Sequence, residues 1–174
     1  VSFRSFAMSA PADSDLMNAD NWTVSSCVAV NQTCGGFLEG NMVLLPSGQV
    51  ANVLRAEFLP EGEKVAVIEI SDDGKTATFD PEAGFIPFPG GNVKFTTRYD
   101  DVSRKYWTLS NWCPAGWDVH REFMALCSSS DFRTWDVHSI EMYAASGTVQ
   151  GFQYVDWVFD GDDIAAVSRT GWAD

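Results

Sequence analysis

Residues Glu39–Arg55 read EGNMVLLPSGQVANVLR, and this stretch decides how the rest of the chain is interpreted. Apolar side chains recur at every second position on both sides of Pro46–Gln49, which predicts two strands joined by a turn. Glu39 stands just before the first predicted strand, and Arg55 ends the second. Because the strands of a hairpin run antiparallel, the two side chains can emerge side by side. The pair is interpreted either as a structural ion pair or as part of a chemical site.

Composition narrows the classes of protein and of partner. The chain has 174 residues, of which 45% are hydrophobic, and this suits one domain with a sizeable core. It contains no run of about 18 apolar residues, so we predict no membrane span and no membrane partner. With 11 Lys and Arg residues and a net charge of −13, it is not expected to bind nucleic acid. Local arginines can still hold a small anion.

The start of the chain, the two sequons and the cysteines favour particular cellular compartments. The chain begins at Val1 without a charged and apolar leader, which favours a mature product or a fragment. Two N-x-[ST] sequons, Asn21–Thr23 and Asn31–Thr33, and an even number of cysteines favour an extracellular or secreted protein. The cysteines lack C-x-x-C spacing, so no zinc site is predicted. They either close two loops or remain free thiols, and the two spacings are Cys27 with Cys34 and Cys113 with Cys127.

Two sequence markers repeat along the chain with a period near 58 residues. The first is an Asp turn before the aromatic start of a strand, and Asp15, Asp73 and Asp131 are 58 residues apart in both intervals. The second is the end of a strand pair, at 54–55, 110–111 and 168–169, with intervals of 56 and 58 residues. Two markers on one period predict a repeat architecture. In each turn the carboxylate is expected to accept backbone N–H bonds, which is a structural role.

Each repeat unit is predicted to contain four strands, and no window shows helical periodicity, so the fold is predicted to be all-β. Strands are predicted at 41–46, 50–56, 64–70 and 77–79 in one unit, and at 93–99, 106–111, 122–128 and 135–140 in the next. Two further strands precede these units, at 3–9 and 22–29, and two follow them, at 152–159 and 164–169.

Units of four strands in series are typical of the blades of a β-propeller. We therefore predict a single propeller segment, with a half blade at 1–38, complete blades at 39–91 and 92–150, and a half blade at 151–174. A closed propeller needs roughly 4–8 blades. A partner chain or a further segment is expected to complete the ring.

The hairpin and the turns resemble those of sialidases, which are propeller enzymes with Asp-box turns. Glu39, the alternating strand, Ser47–Gly48 and Arg55 are similar to the E-x-x-x-V-x-L-x-x-G-x-L…R stretch of that family. Ser71–Phe79 and Ser129–Trp135 resemble Asp boxes, although the boxes of this chain are imperfect.

Two later segments extend the resemblance over most of the chain. Leu109–Asn111 followed by Arg121–Leu126 is similar to the sialidase segment that carries another substrate-binding arginine. Gly151–Asp156, ahead of Asp160–Asp163, resembles the segment that carries the tyrosine nucleophile. The order of these segments and the gaps between them are compatible with the family.

The resemblance implies a sialidase-like glycoside hydrolase, or a fragment of one, that acts on an anionic carbohydrate or glycan. Arg55 and Arg121 would be two members of an arginine triad that holds the substrate carboxylate. Tyr154 would be the nucleophile, as in the sialidases that depart from the two-carboxylate scheme. Glu39 would take the proton of the Tyr154 hydroxyl. No cofactor and no metal are implied.

The chain departs from the family in several places. It has no counterpart of the first triad arginine or of the aspartate general acid, and Arg169 stands where the family often has a glutamate. The alternative function is a non-catalytic carbohydrate- or protein-binding propeller module. Its stacking platforms for sugar rings would be tryptophans, notably Trp107, Trp112, Trp117 and Trp157.

Overall fold

The computed structural model describes residues 3–29, 34–57, 63–114, 121–144 and 150–172. Within these ranges the chain is all-β, as predicted, and its helical content is one three-residue 3-10 helix, Ala19–Asn21. The strands are β1 (Arg4–Ser5), β2 (Met8–Ser9), β3 (Thr23–Val24), β4 (Val28–Ala29), β5 (Gly36–Leu44), β6 (Val50–Glu57), β7 (Lys64–Ile70), β8 (Ala77–Thr78), β9 (Phe85–Pro87), β10 (Thr96–Asp100), β11 (Lys105–Ser110), β12 (Phe123–Ser129), β13 (Asp136–Tyr143), β14 (Gln150–Asp160) and β15 (Asp163–Trp172).

The strands form several small antiparallel sheets, and none of them closes on itself. Sheet I runs β5-β6-β7, with β8 and β9 both paired to the outer edge of β7. Sheet II runs β10-β11-β12-β13. The N hairpin pairs β1 with β4 and β2 with β3, and the C hairpin pairs β14 with β15. The two four-strand units and the flanking strand pairs predicted from the sequence therefore pair as antiparallel neighbours.

The opening hairpin is correct, but its first strand begins earlier than predicted. Leu44 pairs with Val50 across the turn, as the alternation predicts. β5 already begins at Gly36, so Glu39 lies inside the strand rather than before it. The prediction was wrong because the residues that precede Glu39 have partners, since β6 continues past Arg55 to Glu57.

The outer edge of sheet I is interrupted, which the sequence pattern did not show. β8 covers only Ala77–Thr78, and pairing with β7 resumes at Phe85–Pro87. Between them the Asp80 carboxylate accepts the N–H groups of Glu82 and Ala83, at 2.8 and 3.2 Å. This local turn replaces ladder hydrogen bonds, so the strand divides in two.

Three apolar cores lie between neighbouring sheets. The central core joins sheet I to sheet II and includes Val43, Val53, Val65, Phe95 and Tyr106. The N-side core joins the N hairpin to sheet I and includes Ala7, Leu54, Ala56, Ala66 and Ile68. The C-side core joins sheet II to the C hairpin and includes Leu109, Met124, Phe152, Val155 and Trp157.

Strand β6 shows how the cores are shared. Ala51 and Val53 face the central core, whereas Leu54 and Ala56 face the N-side core. Since successive side chains of a strand point to opposite faces, β6 is buried on both sides. The sheets therefore stack face to face along the chain.

The Asp turns have the local role predicted for them. Asp73 Oδ1 accepts the Lys75 N–H at 3.0 Å, and Asp15 Oδ1 accepts the Met17 N–H at 3.0 Å. In the third turn, hydrogen bonds from the Thr134 and Arg133 N–H groups lower the pKa of Asp131 to about 2. Asp131 is therefore a structural carboxylate.

All four cysteines carry free thiols, so of the two possibilities left by their spacing the structure has no bridge. Burial raises the pKa of the Cys127 thiol to about 12. Of the two sequons, Asn31–Thr33 lies outside the described residues. The side chain of Asn21 donates to the Asp15 carbonyl at 2.9 Å, and a glycan on its nitrogen would have to disturb this bond.

Truncation of Leu54 tests the double-sided burial of β6. Leu54 is 6% exposed, and Leu54→Ala is expected to lower the free energy of unfolding by about 2–4 kcal/mol, because it leaves a cavity in the N-side core. Leu44→Ala is the matched control, since Leu44 is 61% exposed and should change the free energy by less than about 0.5 kcal/mol. Urea unfolding, followed by tryptophan fluorescence, measures the free energy of unfolding of both variants. Equal losses in Leu54→Ala and Leu44→Ala would contradict the burial of β6 on both faces.

Asp131→Ala tests the third Asp turn through its pH dependence. The pKa of Asp131 is lowered in the folded chain, so its contribution to stability is present above the unfolded value of about 4 and is lost as the pH falls towards about 2. Asp131→Ala should therefore lower the urea midpoint at pH 7 and leave it unchanged near pH 2. Asp101→Ala, in an exposed turn, is the control. A urea midpoint that is still lowered at pH 2 would show that loss of the ionised Asp131 carboxylate is not the cause of the lower stability.

Candidate active site

Glu39 occupies a bulge in the first strand of sheet I. Leu38 pairs with Arg55 and Gly40 pairs with Leu54, so Glu39 is the extra residue between two consecutive partners. A Cβ atom on Gly40 would collide with Asn52 Oδ1, so any larger residue here would have to displace the Asn52 side chain. The bulge turns the Glu39 carboxylate towards Arg55, and Glu39 Oε2 lies 3.3 Å from Arg55 Nη1.

Arg55 is held on three sides. Its Nε donates to the Asn92 carbonyl at 2.8 Å, Nη1 contacts Glu39, and Nη2 lies 3.6 Å from Glu57 Oε1. Its side chain is 13% exposed, against 31% for that of Glu39. The guanidinium is therefore fixed in orientation, and two carboxylates balance its charge.

Tyr154 reaches the same place from the C hairpin. It lies at an irregularity in the β14–β15 pairing, between Gln153 and Asp156, and has a φ of 53°. This left-handed conformation is uncommon for a residue other than glycine and costs about 1–3 kcal/mol. The Tyr154 hydroxyl donates to Glu39 Oε1 at 3.1 Å, across 115 residues of sequence. The ring is 40% exposed, so it is accessible at the surface.

Arg169 covers the ring of Tyr154. Its guanidinium carbon lies 4.3 Å from the ring centroid, and Nη2 donates to the side-chain oxygen of Gln153. A cation at this distance from an aromatic face is attracted to it. It also favours any negative charge that develops on the phenol oxygen.

Arg121 lies beside this group. Its carbonyl accepts the Phe152 N–H at 2.9 Å, which ties the start of β12 to β14. Arg121 and Tyr154 line one small pocket, together with Lys94, Asn111 and Gln153. No ion pair joins Arg121 to another residue in the described part of the chain. Arg169 likewise has no ion pair there, so Arg121 and Arg169 are the arginines of this group that no described carboxylate neutralises.

The four predicted residues therefore meet at one end of the stacked sheets. Glu39, Arg55 and Tyr154 form one hydrogen-bonded group, and Arg121 shares a pocket with Tyr154. Their catalytic and substrate-binding roles stay predictions. Sequence reasoning missed Lys94, although it precedes Asn111 by 17 residues, much as Glu39 precedes Arg55 by 16.

One of the four tryptophans named as possible stacking platforms for sugar rings is a core residue. Trp157 is 2% exposed in the C-side core, and its indole N–H donates to the Thr96 carbonyl at 2.9 Å. It cannot stack on a sugar ring, because large aromatic side chains at such positions fill the core. Trp107 and Trp112 are partly buried, and Trp117 lies outside the described residues.

No helix in the described part of the chain is long and apolar enough to cross a membrane. No group of three or more His, Cys, Asp or Glu side chains among the described residues could hold a metal ion.

Comparisons of the chain with models of protein families, with curated proteins and with solved structures found no match. The site is therefore interpreted from its own geometry.

Arg55→Met tests the charge balance of the site. The substitution leaves Glu39 and Glu57 close together without their shared cation, and it should lower the free energy of unfolding by about 1–3 kcal/mol. Arg55→Lys keeps the charge and should lower the free energy of unfolding by less. Arg133→Met removes one exposed cation elsewhere and serves as the control. Urea titration at pH 7 ranks the three variants, and an Arg55→Met chain as stable as the control would contradict the network.

Proposed function

We propose that this chain is part of a sialidase-like glycoside hydrolase that acts on an anionic sugar. Tyr154 is the nucleophile, Glu39 is its base, and Arg55 and Arg121 hold the substrate carboxylate. The observation that carries the proposal is the hydrogen bond from the Tyr154 hydroxyl to Glu39, with Arg55 paired to Glu39 and Arg121 lining a pocket with Tyr154.

The backbone of Tyr154 supports a functional interpretation. Two other described residues besides glycine have positive φ, Arg104 and Phe132, and both lie in turns. Tyr154 has this conformation inside a long strand pair, where the regular pleat would avoid it. Backbone strain of this kind clusters at active sites, where it fixes a side chain for chemistry.

The chemistry follows from the residue types. The Tyr154 oxygen attacks the anomeric carbon, its proton passes to Glu39, and the bond from that carbon to the leaving oxygen breaks. A neutral phenol approaches a carbon that bears a carboxylate with less repulsion than a carboxylate nucleophile would. The leaving oxygen must take a proton from an acid that the four predicted residues do not supply.

The proposal extends to the architecture. Sheets I and II are two complete propeller blades, and the N and C hairpins are halves of two more. Each inner sheet shares apolar cores with both neighbours, as blades do, and the site lies at corresponding ends of successive sheets. A further segment or a partner chain completes the ring and supplies the missing acid and arginine. The two sequons favour an extracellular or secreted protein.

A non-catalytic carbohydrate- or protein-binding module is the alternative function. The favouring observation is that Arg55 is already paired with two carboxylates, as expected of a structural arginine. Saturable binding of a glycan without turnover would support this alternative. Hydrolysis of the same glycan would support the enzyme.

Tyr154→Phe tests the enzyme directly. In the longest native form of the protein, the variant should hydrolyse a fluorogenic sialoside roughly 10³-fold more slowly or worse, because the nucleophilic oxygen is absent. Binding of the free sugar acid, measured by calorimetry, should persist. Tyr99→Phe removes a hydroxyl from an exposed tyrosine outside the site and should leave the rate unchanged. A Tyr154→Phe protein that retains its rate would exclude tyrosine as the nucleophile.

A further inference from the structure

Lys94 occupies the position on sheet II that Glu39 and Tyr154 occupy on their own sheets. Glu39 precedes Arg55 by 16 residues, Lys94 precedes Asn111 by 17, and Tyr154 precedes Arg169 by 15. The first member of each pair is on, or just before, the first strand of its sheet, and the second member is on, or just after, the second strand. The repeat thus brings one residue from each of three sheets to the same end of the stack.

The contacts of Lys94 connect it to the backbone that carries Tyr154. Its ammonium group donates to the Phe95 carbonyl and to Thr96 Oγ1, the latter at 3.1 Å. The Thr96 hydroxyl in turn donates to the Val155 carbonyl at 2.8 Å. Val155 follows Tyr154 directly, so this chain of hydrogen bonds ends at the strained turn of β14.

The charges around Lys94 come from every strand packed against it. Burial lowers the pKa of Lys94, the carboxylates of Asp156 and Glu39 act in the opposite direction, and Arg98 on β10 adds to the lowering. Tyr154 lines the same pocket, and so does Arg121. The Lys94 ammonium is therefore partly withdrawn from water and coupled to the carboxylate that contacts Tyr154.

We propose that Lys94 is a positioning residue for the Glu39–Tyr154 pair. Its charge stabilises the single negative charge of that pair, and its hydrogen bond through Thr96 holds the turn that presents the phenol. Where it concerns turnover, the inference rests on the proposed function. When the phenol proton moves to Glu39, the negative charge moves from Glu39 towards Tyr154, and Lys94 stays beside both.

The first experiment needs no turnover. The protein is labelled with ¹³C-lysine, and the Cε signals of its four lysines are followed by NMR as the pH is raised, with Lys94→Arg identifying the Lys94 signal. Lys94 should titrate at lower pH than the other three, and Glu39→Gln should lower its midpoint further, since a negative neighbour is lost. Glu69→Gln, on an exposed part of β7, should leave it unchanged. A Lys94 that titrates with the others and ignores Glu39→Gln overturns the proposal.

The second experiment measures hydrolysis of a fluorogenic sialoside by the longest native form. Lys94→Met should lower kcat at least tenfold with KM within about twofold, and Lys94→Arg should restore most of the rate. In the pH–rate profile, the alkaline decrease in rate should move to higher pH in Lys94→Arg, since arginine keeps its charge. Arg133→Met is the control for lost charge.

The outcomes separate this inference from the proposed function. An unchanged kcat in Lys94→Met overturns the positioning role, even if the wild-type protein is active. A wild-type protein without turnover contradicts the proposed function, and the NMR coupling to Glu39 then decides the inference alone. If Lys94→Met does not fold, the pH–rate profile of Lys94→Arg decides in the active protein. If the alkaline decrease in its rate stays at the wild-type pH, the positioning role is overturned.

Discussion

The requirement that both faces of each inner sheet be covered organises the whole chain. A sheet with one bare apolar face would expose the side chains that β6 buries on its two sides, Val53 on one and Leu54 on the other. Each buried aliphatic side chain contributes about 1.5–3 kcal/mol, so the cores outweigh any surface ion pair. Face-to-face packing also fixes the sheets roughly 10 Å apart. Sheet II lies between sheet I and the C hairpin, so the hydrogen bond from Tyr154 to Glu39 joins two sheets that are not neighbours, at the end where the sheets converge.

Two local departures from regular pairing bring the side chains of the site together at one end of the stacked sheets. In an undisturbed pleat, side chains alternate between the two cores and none would turn along the sheet edges. The bulge at Glu39 and the irregular pairing at Tyr154 each break the alternation, and their side chains meet. Bulges recur next to active sites because they re-aim side chains in this way. The packing of the sheets is therefore needed to bring these side chains together, whereas the side chains of the site are not needed for the packing of the sheets.

The all-β class and the order of the antiparallel strand pairs could be predicted from the sequence, because period-two alternation is a local signal and the 58-residue repeat recurs along the chain. The bounds of β7 agree residue for residue, and the Asp turns behave as predicted. The position of Glu39 inside β5 could not be predicted, since the unpaired residue shifts the alternation by one position and so interrupts the regular pattern before Gly40. Lys94 was missed for a related reason. Its neighbours Glu39 and Asp156 are 55 and 62 residues away in sequence, and only the packed sheets bring them together.

The net charge of −13 and a site for an anion are compatible because electrostatic interactions are short in range. At physiological ionic strength exposed charges more than about 8 Å apart are largely screened. The site and its surroundings hold five cations, Arg55, Lys94, Arg98, Arg121 and Arg169, against three carboxylates, Glu39, Glu57 and Asp156, which leaves two positive charges in excess (5 − 3 = 2). A ligand with one carboxylate would reduce this excess to one. If Arg121 holds the substrate carboxylate as proposed, a ligand without a negative charge would leave this cation uncompensated and would bind more weakly, because an unpaired charge in a partly desolvated pocket is costly.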